Sequence, residues 1–177
     1  GETKVFIDAW IISHQHSDHA GIFYGINDAV KTVGTNDAEN PLKDIYVEGL
    51  YLNEPNDQTL SIEDIRTSVI NQYRGMSWLT NSNGERTPIY RFHTGQRYYF
   101  SGVCMDVIQT QEVLPIVDKK VWASEGLQNA ICTTLVYTMN SGEKVFWSGD
   151  ATHLNTDYIM KAYGSEDEGN TLSALLY

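Results

Sequence analysis

The stretch "AWIISHQHSDHAGIFYGI", residues 9–26, holds three of the chain's five histidines, all between His14 and His19. Upstream, "KVFIDAWIIS" (Lys4 to Ser13) is rich in β-branched and aromatic residues and reads as a buried strand running into His14. From Ser17 the period changes. Ile22, Phe23, Ile26, Ala29, Val30 and Val33 recur at helical spacing, and Gly34 follows as a stop. The histidines therefore sit at a strand-to-helix junction. In an extended segment, residues two apart point to the same side, so His14 and His16 aim at one point. Asp18 and His19, where the chain turns into the helix, aim at a second point nearby. Neutral imidazole and carboxylate suit divalent zinc, with iron and manganese as alternatives. The plain reading is a polar loop with Ser17 or Asp18 capping the helix. It accounts for one residue and gives no reason for three histidines.

Outward from this junction, "GTNDAENP" reads as a loop and "DIYVEGLYL" (Asp44 to Leu52) as a strand. Ser61 and Asp64 make a capping-box-like start, and Ile62, Ile65, Val69 and Tyr73 then carry one helical face. After Pro88 the pattern turns to strands: Ile89 to His93, Gln96 to Phe100 and Val103 to Thr110. Ile131 to Met139 and Lys144 to Ser148 form a hairpin across "NSGE". A last helix is expected from about Thr156 to Ala162. Gln111 to Gln128 is long for a plain connection, and such segments often border binding sites.

"HQHSDH" matches the H-x-H-x-D-H signature of the metallo-β-lactamase superfamily at every defined position. Downstream, "GEKVFWSGDAT" resembles that family's later strand ending in Gly-Asp. The second half is most similar to the metal-hydrolase domain of DNA-uptake competence proteins and their free-standing relatives. The passages that carry this are "HTGQRYYFSGVCMDVIQT" and "NAICTTLVYTMNSGEKVFWSGDA". The resemblance covers nearly the whole chain and implies one domain, residues 1–177, with a four-layer α/β/β/α sandwich. It implies two divalent metal ions, zinc first and manganese or iron as alternatives. Their ligands would be His14, His16, Asp18, His19 and Asp150, with Asp150 bridging. Asp18 would also orient a metal-activated hydroxide.

The chain departs from the family pattern in two places. No histidine lies between His93 and His153, where a third first-metal histidine belongs. Asn129 is the polar residue nearest that slot and is a ligand, a substrate contact or a turn residue. The family's last metal histidine, after the final helix, has no counterpart before "TLSALLY", and the chain opens on the strand that leads to the motif. The expectation is an interior segment of a longer domain, truncated at both ends. Such a segment would hold metal poorly, be inactive alone, and expose a strand edge through which it could self-associate.

Other residues carry plainer readings. Asp150 alone would be a strand-end turn residue. His153 reads as a solvent-facing or helix-capping residue, and His93 as structural before Gly95. Asp8 either orients a metal histidine from behind or sits exposed on its strand. Cys104 and Cys132 read as buried free thiols, with a disulfide as the alternative.

Net charge of −11 argues against a chain that grips a nucleic-acid backbone. No apolar run is long enough for a membrane segment. The chain carries no targeting signal, the cytoplasm is the default expectation, and a leader removed beforehand is the alternative. Three readings of function follow. The first is a metal-dependent hydrolase acting on a phosphoester. The second is a lactone or thioester hydrolase of the same fold. The third is a non-catalytic binding module with a degenerate metal site.

Overall fold

The computed structural model describes residues 4–14, 16–33, 44–53, 70–114, 127–130 and 132–163. The expected loop at residues 34–41, the helix start at Ser61 and Asp64, most of Gln111 to Gln128, and the stretch "TLSALLY" lie outside the described residues. The protein is mixed α/β. Its described elements, in chain order, are β1 (Val5–Ile7), β2 (Trp10–Ile12), α1 (Ser17–Val33), β3 (Ile45–Val47), β4 (Leu50–Leu52), β5 (Ile89–Arg91), β6 (Arg97–Phe100), β7 (Val103–Gln109), a 3-10 helix (Gln111–Val113), α2 (Leu127–Ala130), β8 (Thr134–Met139), β9 (Lys144–Trp147) and α3 (His153–Tyr163). Residues 70–74 are also helical. Among the described residues, no helix is long and apolar enough to cross a membrane.

The strand expected over Lys4 to Ser13 is two short strands, and so is the one expected over Asp44 to Leu52. They break at the same level. β1 pairs in parallel with β3, and β2 with β4. Two backbone bonds carry the ladder across the breaks, Trp10 N–H to Gly49 O at 2.9 Å and Glu48 N–H to Ile7 O at 2.9 Å. Gly49 fits there because a Cβ would press on the Tyr51 ring, which stacks on Tyr90. β5 adds in parallel on the far side of β4. The parallel strands β2, β4 and β5 therefore all point their C-terminal ends the same way, and His14 follows β2.

The second half is an antiparallel sheet in the order β6-β7-β8-β9. Gly102 and Gly142, both at positive φ, make its tight turns. The expected hairpin across "NSGE" is present, closed by Met139 N–H to Glu143 O at 2.8 Å.

Strand alternation sorts side chains into separate apolar clusters. Ile12, Leu50 and Leu52 pack with Ala20, Phe23 and Val30 of α1 and with Tyr73 and Trp78. Phe23 is the centre, with its ring edge-on to Trp10 at 4.7 Å and to Tyr73 at 5.3 Å. This fixes the roll of α1, so Ile22, expected on the inner face, is 66% exposed, and Ala29 is exposed as well. The opposite parity, Ile11 and Tyr51, packs with Met105, Val107, Leu135 and Trp147 of the antiparallel sheet. The other parity of that sheet, Ile108, Val136 and Phe146, packs with Ile159 and Tyr158 of α3.

α3 starts at His153, earlier than expected. Thr152 precedes it, and its N–H donates to the Asn155 side-chain oxygen at 2.9 Å. The third helical residue thus reaches back to cap the first turn. Cys104 and Cys132 are both free thiols, but only Cys132 is fully buried.

Candidate metal centre

β2 delivers Ser13 and His14 to the end of the parallel sheet, where both are buried. The chain then turns sharply. The His16 carbonyl accepts from the N–H groups of His19 at 3.0 Å and Ala20 at 2.9 Å, which starts α1. That turn puts Asp18 and His19 in the first helical turn, beside His14 and His16. From the other half of the molecule, β9 ends at Trp147, and the Ser148–Gly149 turn carries Asp150 to the same place. A backbone bond, Thr133 N–H to Ser13 O at 3.2 Å, joins the entrance of β8 to the exit of β2 at this point.

The structure brings the five residues together in two groups that share Asp150. His14, His16 and Asp150 could hold a metal ion, and so could Asp18, His19 and Asp150; within each group the donor atoms all lie within 4.8 Å of one another. His14 Nε2 is 3.1 Å from His16 Nδ1 and 3.8 Å from Asp150 Oδ2. His19 Nε2 is 3.1 Å from Asp150 Oδ1 and 3.6 Å from Asp18 Oδ2. Two nitrogens at ~2.0–2.1 Å from a tetrahedral zinc stand about 3.3 Å apart, so these separations are those of ligands round an ion. The donor set, imidazole nitrogen and carboxylate oxygen, is the one that such ions take.

Electrostatics agree with that use. Burial, followed by the neighbouring His19, lowers the His14 pKa from 6.5 to about 4. His14 is therefore a neutral imidazole at neutral pH, with a lone pair to give. Asp18 lies in the first turn of α1. The histidines form the floor of the cluster and the carboxylates its open side: His14 is 0% exposed, His19 24%, Asp150 36% and Asp18 73%.

Sequence reasoning offered Asp8 either as a residue orienting one of the metal histidines from behind or as an exposed strand residue. Asp8 is exposed, in the break between β1 and β2. The group at His14 Nδ1 is the Ser13 hydroxyl, 3.1 Å away. Cys132 was also missed. Its thiol lies under the Gly149–Asp150 turn and donates to the Ser148 carbonyl at 3.4 Å, and burial pushes its pKa up to about 11. No local pattern flags either residue, because their roles arise where two distant strands meet.

Asn129 lies in α2, and its backbone carbonyl accepts from Cys132 N–H at 3.0 Å in a turn leading to β8. Its side-chain oxygen is buried and has no hydrogen-bond partner among the described residues. His153 opens α3 and is exposed. His93 is exposed and pairs through Nδ1 with Glu112 at 2.6 Å, just before Gly95 at positive φ.

Behind Asp150, Asn155 is fully buried and ties three segments together. Its amide nitrogen donates to Gln109 Oε1 at 2.9 Å and to the carbonyls of Ala130 and Cys132 at 3.4 Å. This holds the turn before α3 against β7 and the entrance of β8. Comparison of the chain with known protein families and with curated proteins finds no match.

Proposed function

We propose that this protein is a binuclear metal-dependent hydrolase of the metallo-β-lactamase type, with zinc as the first choice of metal. The observation that carries this reading is the sharing of Asp150 between two three-donor groups. Three protein donors with a position left open is the composition of a catalytic zinc site, whereas a structural site is closed by four. Two such groups joined by one carboxylate make a two-metal site. Residues of α1 cluster with the parallel sheet, residues of that sheet with the antiparallel sheet, and residues of the antiparallel sheet with α3. That order supports the four-layer α/β/β/α arrangement that the signature implies.

When bound, the metal pair would supply Lewis-acid activation of a water nucleophile and stabilise charge developing on the substrate. The residues of the chain do the rest. His14, fully buried, and His16, half-buried, would hold the first position. Asp150 joins the two positions. Asp18, the most exposed member, stands at the mouth, where its free oxygen can orient the attacking group. Asn129, the polar residue nearest the family's third-ligand slot in sequence, is the proposed further donor or substrate contact.

A phosphodiester or phosphomonoester is the substrate class that the resemblance to the competence-protein hydrolase domain implies. The test is turnover of phosphodiester, phosphomonoester, lactone and thioester reporters by zinc-, manganese- and iron-loaded protein, beside Asp18→Asn and His16→Ala. Metal-dependent phosphoester turnover lost in both variants supports the proposal. Turnover of the carbonyl esters alone moves the substrate to a lactone or thioester. Metal binding without turnover across the panel makes the protein a binding module.

A further inference from the structure

We propose that Arg91 is a specificity-determining residue of the candidate site, taking a second phosphate of the substrate beside the one that is cleaved. This rests on the phosphoester reading of the site. Strand register puts Arg91 at the same end of the molecule as the metal groups. Ile12, Leu52 and Arg91 stand level across β2, β4 and β5. His14 lies two residues beyond Ile12, and His93 two beyond Arg91. Phe92 N–H still donates to Leu52 O at 2.9 Å, so the ladder runs past Arg91. The exits of β2 and β5 are therefore two strand spacings apart, about 10 Å at the backbone.

The antiparallel half meets both exits. Beside β2, Thr133 N–H donates to Ser13 O. Beyond β5, Thr110 N–H donates to Thr94 Oγ1 at 2.9 Å. Thr110 caps the 3-10 helix Gln111–Val113, which brings Glu112 to Arg91 and His93.

A count of donors shows what this leaves open. Glu112 Oε1 lies 2.6 Å from His93 Nδ1 but 3.6 Å from an Arg91 terminal nitrogen, too far for a hydrogen bond. Glu112 Oε2 accepts from Thr110 Oγ1 at 3.4 Å. The carboxylate is thus engaged by the imidazole and the helix cap, and only loosely by the guanidinium. Arg91 Nε is buried and has no hydrogen-bond partner among the described residues. A guanidinium carries five N–H donors and keeps its charge. Arg86 and Arg97 spend theirs inside the protein, on the carbonyls of Arg74 and Met76 and on the Asp106 carboxylate. Arg91, half-buried, has one long ion pair. A charged fork with donors to spare suits phosphate oxygens. The net charge of −11 repels a substrate with two phosphates on average, so the second phosphate is recognised where a cation is held for it.

Two measurements test this, and the first is independent of metal. Arginine-labelled protein in chelator is titrated with inorganic phosphate, following by NMR the Nε–H signal that disappears in Arg91→Lys. That signal should shift saturably, and Glu112→Gln, which removes the competing charge, should lower the half-saturating phosphate concentration. The second compares kcat/KM of metal-loaded protein for p-nitrophenyl phosphodiesters of thymidine with and without a second phosphate on the sugar. The wild type should favour the doubly phosphorylated reporter by roughly 10- to 100-fold, the worth of hydrogen bonds to a charged group, chiefly through KM. Arg91→Gln should bring the ratio to about one. Arg91→Lys, which keeps the charge without the fork, should hold part of it. No saturable shift in the wild type, a wild-type ratio near one, or a ratio retained in Arg91→Gln would overturn the proposal. If the wild type turns over neither reporter, the hydrolase reading fails, and the phosphate titration alone decides whether Arg91 is an anion site.

Discussion

Asp150 turns one carboxylate oxygen to His19 and the other to His14: Oδ1 lies 3.1 Å from His19 Nε2, and Oδ2 lies 3.8 Å from His14 Nε2. The two histidines come from opposite ends of the strand-to-helix turn, and the aspartate comes from the antiparallel half. The candidate site is therefore assembled only when the two sheets are docked. Folding and metal binding should be coupled through this one side chain.

The pH dependence of metal-free stability follows from His14. Its folded pKa is about 4, against 6.5 for the free side chain. Between those values the unfolded chain holds a proton that the folded chain refuses. The His14 contribution is complete above pH 6.5 and is lost as pH falls toward 4, with a limiting slope of about 1.4 kcal/mol per pH unit. Urea titrations in chelator at pH 7 and pH 5 should show a larger drop for the wild type than for His14→Asn. Equal drops would mean that His14 titrates normally.

Phe23→Ala should cost about 3–5 kcal/mol, the range for removing a fully buried aromatic ring. Phe23 is 0% exposed and touches Trp10, Tyr73 and Trp78. Ile22→Ala, one residue away and exposed, should change stability by under about 0.5 kcal/mol. Similar costs for the two would show that α1 is rolled so as to bury Ile22 as well.

Gly149→Ala meets two obstacles, a positive φ and the Cys132 sulfur. The steric part belongs to the sulfur, so Cys132→Ala should relieve it. A double-mutant cycle should show coupling of about 0.5–3 kcal/mol, the range for residues in contact. Additive costs would place the sulfur away from the turn.

Asn155→Leu keeps the volume but removes the donor to Gln109, Ala130 and Cys132 and the cap on Thr152. Leaving buried groups unpaired costs about 1–3 kcal/mol each. The variant should lose stability and, because the Asp150 turn is tied to the same network, metal affinity as well. Unchanged metal affinity in a destabilised variant would confine Asn155 to the fold.

Much of this was legible in the sequence because it rests on local spacing. The β-branched and aromatic run through Lys4 to Ser13, the switch to helical period at Ser17 and the turn across "NSGE" all leave marks within a few residues. The two-residue spacing of His14 and His16 placed their donors together. What escaped depends on distant partners. The break at Asp8 and Ala9 exists because β3 and β4 break alongside it at Glu48 and Gly49. The roll of α1 depends on Phe23 finding Tyr73 and Trp78. The early start of α3 had a readable signal, Thr152 with Asn155 three residues on, but with the shorter Asn in place of the usual Glu or Gln. Ser13 and Cys132 carried none, since their meeting is made by docking β2 against the entrance of β8.

The most direct test of the central claim is metal stoichiometry at saturation, measured by inductively coupled plasma mass spectrometry after equilibrium dialysis against zinc. The wild type should bind two equivalents, His16→Ala and His19→Ala one each, and Asp150→Ala none, because Asp150 alone belongs to both groups. Two equivalents retained by Asp150→Ala, or none bound by the wild type, would contradict the account.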